Sequence, residues 1–105
     1  MKKYTFTIGL FDKDTEQMEM TPAEAREWLE MVLIDTFEIY AFTMYDCFGV
    51  YRMQSTGDIV REPSIRVEIA SENAIPAETI IEGIKDVLNQ ETVMLEVTES
   101  NICFM

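Results

Sequence analysis

The side chains of this sequence that can do chemistry gather in its middle. Asp46, Tyr51, Arg52, Arg61, Glu62, Ser64 and Arg66 fall around one predicted hairpin. A guanidinium presents a fixed fork of donors that matches an oxyanion. Two readings therefore stand for this cluster. It closes the hairpin through a local Arg–carboxylate pair, or it holds a small anionic ligand such as a nucleotide with Tyr51, Arg52, Arg61 and Arg66.

Reaction chemistry is harder to find. The chain has no histidine, the residue that most often moves protons near neutral pH. The carboxylate pairs Glu27 with Glu30 and Glu78 with Glu82 fall on predicted helix surfaces, where water keeps them ionised. No Ser–His or Cys–His arrangement and no glycine-rich phosphate fingerprint is present. A catalytic site is therefore not expected, nor is a cofactor. Asp12, Asp14 and Glu16 have the spacing that opens a calcium loop. Gln17 then stands where the sharp turn needs glycine, and Ala23 where the bidentate glutamate belongs. No metal site is expected, and this loop is read as solvated. Cys47 and Cys103 form neither a C-x-x-C pair nor a zinc pattern, which fits two free thiols in a reducing compartment.

Charge narrows the partners. Twenty acidic residues against eight basic give net −12, so a nucleic-acid backbone or an anionic membrane is repelled. Ten of the acidic residues lie in Asp12–Asp46 against Lys13 and Arg26, and eight in Glu68–Glu99 against Lys85. Each span contains a predicted helix. If both helices lie on one side of a sheet, Glu27, Glu30, Glu78, Glu82 and Asp86 form an acidic face. Such a face suits a basic protein surface of the kind that binds nucleic acid.

The elements that must position these groups follow from hydrophobic period. Tyr4, Phe6, Ile8 and Leu10 alternate as a half-buried strand. Thr21-Pro22-Ala23-Glu24 is a capping box that starts a helix with Ala25, Trp28, Leu29, Val32 and Leu33 on one face. Phe37–Tyr51 reads as a second strand, bent near Gly49. Gln54–Asp58 is a turn. Ile65, Val67 and Ile69 make a third strand, whose paired part begins after Pro63 because proline cannot donate to a ladder. Pro76 opens a second helix, with Ala77, Ile80, Ile81, Ile84, Val87 and Leu88 at helical spacing and Gly83 permitting close approach to the sheet. Val93, Leu95 and Val97 form a fourth strand, and Ile102–Met105 adds a short strand or tucks into the core.

The order β-α-β-β-α-β predicts an α+β, ferredoxin-like fold over 1–105 as a single domain. Its four-stranded antiparallel sheet runs 4-1-3-2, with two helices on one face. The other face, with Thr5, Thr7, Arg66 and Glu68, stays open as a platform for a ligand or a second copy. No apolar run is long enough to span a bilayer, and the alternating threonines near the start exclude a signal peptide, so a cytoplasmic protein is expected.

Phe6–Leu10, Asp46, Gly49, Tyr51-Arg52, Arg61-Glu62-Pro63-Ser64 and Gln90-Glu91-Thr92-Val93 resemble the pattern of an uncharacterised family of small α+β domains with R-E-P-S and Q-E-S-V motifs. That resemblance implies a fold and no chemistry. The opening from Lys3 to Leu10, with Asp12-Lys13-Asp14-Thr15, resembles small phage-encoded accessory proteins. Taken with the charge, it implies a non-enzymatic accessory protein of phage or mobile-element type that binds, and inhibits, a basic host protein. The alternative is a small-molecule or nucleotide-binding module, dimeric through the open face or an edge strand.

Overall fold

In the computed structural model, which describes residues 1–105, the first alternating run forms strand β1 (Lys2–Gly9), with Tyr4, Phe6 and Ile8 buried. Helix α1 (Pro22–Met31) starts at the expected capping box. The Glu24 N–H donates to Thr21 Oγ1 at 3.2 Å, and the Thr21 N–H donates to Glu24 Oε1 at 3.1 Å. Hydrogen bonding from the Thr21 backbone holds the Glu24 carboxyl below its ordinary range. The helix then widens into a π-helical turn over Val32–Thr36.

Strands β2 (Thr43–Arg52) and β3 (Ile59–Ser71) form a long hairpin. Its turn is closed by Met53 N–H to the Asp58 carbonyl and Gly57 N–H to the Met53 carbonyl, both at 2.8 Å. Gly57 takes φ +78°, which suits glycine. Helix α2 (Ala77–Leu88) buries Ile80, Ile84 and Leu88, and Asn89 ends it in the left-handed region at φ 48°. Strand β4 (Met94–Glu99) completes the sheet.

The strand order is β2-β3-β1-β4, and every neighbouring pair is antiparallel. Phe6 faces Val67 on one side and Leu95 on the other. One continuous core holds Tyr4, Phe6, Ile8, Ile65, Val67 and Ile69 from the sheet. It also holds Ala25, Leu29 and Leu33 from the first helical segment and Ile80, Ile84 and Leu88 from α2. Both helices therefore lie on the same face. Each large aliphatic chain sealed there contributes ~1.5–3 kcal/mol. This is the ferredoxin-like arrangement that the period of the sequence predicts. No helix is long and apolar enough to cross a membrane.

Four local expectations are corrected. The second strand begins at Thr43 and keeps an unbroken register past Gly49, so Gly49 marks no bulge. A Cβ there would lie 2.8 Å from Ser64 Oγ, which is why glycine is needed. The third strand begins at Ile59 and includes Pro63, opposite Phe48. The ladder to β1 stops at Gly9 opposite Ser64. Pro63 thus lies just beyond that ladder, and its carbonyl accepts the Leu10 N–H at 3.1 Å. The final residues form no strand, and Phe104 and Met105 are exposed. Gly83 faces solvent, and a Cβ there would meet nothing within 4 Å.

Gly83 therefore carries the entropic penalty of a helical glycine with no packing need for it. Gly83→Ala should stabilise the protein by about 1 kcal/mol, raising the denaturation midpoint. Thr21→Ala, which empties the cap, should cost about 1 kcal/mol in the same measurement.

Candidate functional site

Alternation along β3 sends Ile65, Val67 and Ile69 to the helices, and Glu62, Ser64, Arg66 and Glu68 to the opposite face. The register adds Thr5, Thr7 and Gly9 from β1, and Tyr45, Cys47, Gly49 and Tyr51 from β2. On this face lies a cavity of about 360 Å³. It is lined by Thr7, Gly9, Gly49, Tyr51, Glu62 and Ser64, and by Val50, Arg52, Gln54, Gln90, Glu91, Thr92 and Met94 at its sides. That volume is in the range of small-molecule sites.

Glu62 is the unusual member, a carboxyl only 2% exposed. A buried carboxylate is costly unless donors surround it. Here the Phe11 N–H donates to Glu62 Oε2 at 2.7 Å, and the Tyr51 phenol lies beside the same carboxylate. The side chain can reach Phe11 because Gly9 has no side chain. A Cβ at Gly9 would lie 2.0 Å from Glu62 Oε1. Burial pushes the Glu62 pKa up, and the bonds from Phe11 and Tyr51 pull it part of the way back. Tyr51 is pushed up to about 12, first by burial and then by the charge and hydrogen bond of Glu62. It stays a phenol at any physiological pH.

The cavity wall continues through the end of α2. Gln90, 4% exposed, donates from Nε2 to the Phe11 carbonyl at 2.6 Å. Glu91 Oε2 accepts the Gln54 N–H at 3.4 Å. Two polar atoms of this face are sealed without a hydrogen-bond partner, Thr7 Oγ1 and Arg66 Nε. Thr7 lines the cavity, so a ligand's polar atom can satisfy it.

The predicted hairpin cluster divides. Tyr51, Glu62, Ser64 and Arg52 line the cavity together. Arg66 shares the face beside Thr7. Asp46 and Arg61 do not join them. Asp46 lies opposite Ile65, on the helix side, and pairs with Arg26 of α1 rather than with a hairpin arginine. Arg61 lies opposite Val50 at an exposed position. The period of two that organises the hairpin puts Asp46 and Arg61 on the wrong side for the site, whereas Arg52 reaches it from the last position of β2.

Glu27, Glu30, Glu78, Glu82 and Asp86 are all exposed on the helices, on the side of the sheet away from the cavity. The loop read as solvated is anchored. Asp12, 5% exposed, accepts the Asp14 and Thr15 N–H groups and Asn89 Nδ2, and these bonds hold its pKa low. Gly9, Gly49, the Phe11 peptide and the inward-turned Gln90 were missed as site elements. The signal available was a glycine opposite Ser64 and another opposite Glu62, since a glycine inside a strand often marks a close approach.

No protein-family model matches the sequence, and no curated protein matches it. Among solved structures, the fold is shared with a phage SAM lyase in complex with S-methyl-5'-thioadenosine. That match has 17% identity and a TM-score of 0.72, covering 93% of this chain and 80% of that one. A phage SAM lyase in the apo state matches with 21% identity and a TM-score of 0.57, covering 92% and 78%. At these identities the likeness establishes the fold, and a phage-encoded protein is one that carries it.

The expectation that this is not an enzyme is corrected. Two solved structures that share its fold along nearly the whole chain are those of a lyase. The carboxylates Glu27, Glu30, Glu78 and Glu82 lie exposed on helix surfaces, whereas Glu62 is buried beside a cavity.

The close fit at Gly9 gives a direct test. Gly9→Ala must displace the Glu62 carboxylate or the strand, at a cost of about 1–3 kcal/mol. Thermal unfolding should report this as a fall in Tm, whereas Gly83→Ala moves Tm the other way.

Proposed function

We propose that this protein is an enzyme of the SAM lyase type, cleaving S-adenosylmethionine in the cavity over Glu62 and releasing S-methyl-5'-thioadenosine. The observation that carries this reading is the buried Glu62 carboxylate, held by the Phe11 N–H and lining the cavity beside Tyr51. The likeness in fold supports it.

The chemistry asks little of the side chains. In a sulfonium, the carbon–sulfur bond breaks with its electron pair staying on sulfur, which leaves as a neutral thioether. No acid is needed for the leaving group. A lyase adds no water, so the carbon fragment completes its valence from within, by losing a proton or by closing on its own oxygen. A chain without histidine can support such a reaction.

Glu62 and Glu91 make the cavity attractive to a cation, and Arg52 at its edge can meet the substrate's carboxylate. At about 4 Å and an effective dielectric of about 20, a carboxylate attracts a unit cation by ~4 kcal/mol before desolvation is counted. The reaction removes the sulfonium charge. This attraction therefore serves capture and orientation more than bond breaking. The rate enhancement comes from fixing the fragment's conformation and excluding bulk water. The acidic helix surface plays no part in this reading.

Incubating the protein with S-adenosylmethionine and resolving the products by chromatography is the test. S-methyl-5'-thioadenosine should appear, and an intact substrate after prolonged incubation overturns the reading. S-adenosylhomocysteine, which lacks the positive sulfur, should bind more weakly and remain whole. Glu62→Gln should raise KM about 100-fold with a smaller change in kcat.

The same substitution should not weaken the fold at neutral pH. The folded-state pKa of Glu62 is raised, so the proton it retains favours the native state. That contribution is full below the ordinary glutamate range and is lost as pH rises through the raised value. Glu62→Gln should flatten this part of the stability–pH curve, as read by denaturant unfolding across pH. Activity runs the opposite way, since the sulfonium needs the ionised form. Its acid limb should lie above the range of a solvated glutamate.

A further inference from the structure

Of the four arginines, Arg66 alone is neither exposed nor ion-paired. Arg26 pairs with Asp46, and Arg52 and Arg61 are exposed. Arg66 is half-buried, takes part in none of the ion pairs, and its Nε is sealed without a hydrogen-bond partner. The carboxylates carried on the same strand face are committed elsewhere. Glu68 Oε1 lies 3.3 Å from Lys3 Nζ and accepts the Tyr45 hydroxyl at 3.4 Å, and Glu62 turns away to Phe11. A guanidinium so placed in a chain of net −12 is a strong donor held without an acceptor.

The register puts this donor beside the cavity. Arg66 is paired across the sheet with Thr7 and shares a strand face with Ser64, and both of these line the cavity. Thr7 Oγ1 is the other sealed side-chain atom without a partner. Facing positions on neighbouring strands bring Cβ atoms to about 5 Å, so the two unpartnered groups are neighbours. Burial pushes the Cys47 thiol up, and the charge of Arg66 acts against it. Cys47 stands opposite Ser64, so that charge is felt at the cavity wall.

We propose that Arg66, with Thr7, is a specificity-determining subsite that receives the carboxylate at the amino-acid end of the substrate. This rests on the reading of the cavity as a site for S-adenosylmethionine. That substrate carries its carboxylate a short alkyl arm away from the positive sulfur. The face offers the matching pair of charges. The Glu62 carboxylate sits over Gly9, at the level of Ser64. Two positions, or about 7 Å of strand, separate that level from Arg66. The alkyl arm and the length of an arginine side chain close such a gap. A guanidinium fork with a hydroxyl beside it suits a carboxylate. Arg66 has no ion-pair partner to give up, so its fork can turn to the ligand without breaking one. Arg52, exposed at the rim, is left to draw the anion in.

The test uses ligands that are not cleaved, S-adenosylhomocysteine and its decarboxylated form, titrated by calorimetry into the wild type and Arg66→Gln. S-methyl-5'-thioadenosine, which lacks the whole amino-acid end, is the control. In a field of net −12 the decarboxylated compound, which has the greater positive charge, is favoured unless a cationic group receives the carboxylate. The wild type should nevertheless prefer S-adenosylhomocysteine by about 30-fold. In Arg66→Gln that preference should vanish or invert, while S-methyl-5'-thioadenosine binds within about twofold of the wild type. A merely structural defect weakens all three ligands alike.

An equal loss for all three, or a preference that survives Arg66→Gln, overturns the proposal. If Arg66→Gln does not fold, Arg66→Lys and Thr7→Val are titrated instead. The first keeps the charge without the fork and the second removes the hydroxyl, so each should cut the preference about threefold or more. An unchanged preference in both is equally fatal. Failure of the proposed function reads differently. If S-adenosylmethionine stays intact but the preference follows Arg66, the lyase reading falls and the subsite stands. If none of the three ligands binds the wild type, both fall.

Discussion

One carboxylate folded back onto a backbone amide organises this molecule's open face. Glu62 is carried on a central strand, yet its side chain runs over Gly9 to the Phe11 N–H, beyond the point where β1 ends. A solvated glutamate would extend into water and leave a flat sheet. Folding it back creates a floor with negative charge at one end, and it commits Gly9 to having no side chain. It also ties the β1–α1 loop to the sheet. The helices, the core and the strand order exist in many proteins of this architecture. This constraint is what makes a cavity of the surface.

The energetic logic runs against stability and toward a site. Burial raises the Glu62 pKa even though a backbone N–H and a phenol stabilise its charged form. The fold thus holds a group that it would rather keep protonated. Groups held in this way concentrate where ligands bind, because the ligand supplies the missing compensation. Thr7 Oγ1 and Arg66 Nε, sealed on the same face without partners, show the same local deficit. On the proposed function, a cationic ligand answers the first, and the polar atoms around that cation answer the second.

Most of the architecture was legible in the sequence because it rests on period. Tyr4, Phe6 and Ile8 alternate, Ile80, Ile84 and Leu88 recur each turn, and Thr21 with Glu24 forms a cap whose bonds are local. These features need no knowledge of distant residues. The site was half legible for the opposite reason. Proximity in the chain gathers Tyr51, Arg52 and Glu62, which line one cavity, and Arg66, which shares its face, but it gathers Asp46 and Arg61 with them because it ignores which face a residue occupies. Starting the strand after Pro63 removed Glu62 from the ladder and with it the means of assigning its face. Gly49 and Gly83 were read through their usual meanings, bulge and close approach. Their real meanings, room for Ser64 Oγ and an unused opening to solvent, depend on atoms that no local pattern contains. The bonds that the N–H and the carbonyl of Phe11 make were out of reach for the same reason, since they join positions 51 and 79 residues apart.

The placement of the cavity on the side of the sheet opposite the helices divides the molecule into two territories under different constraints. The outer surfaces of α1 and α2 touch neither the cavity nor its supports, so their residues can drift freely in type and charge as long as the buried stripe survives. Gly9, Gly49, Tyr51, Glu62 and the Asn89–Gln90 turn have no such latitude. Descendants of one ancestor could thus diverge almost completely over half their surface while the geometry around a single carboxylate is inherited intact.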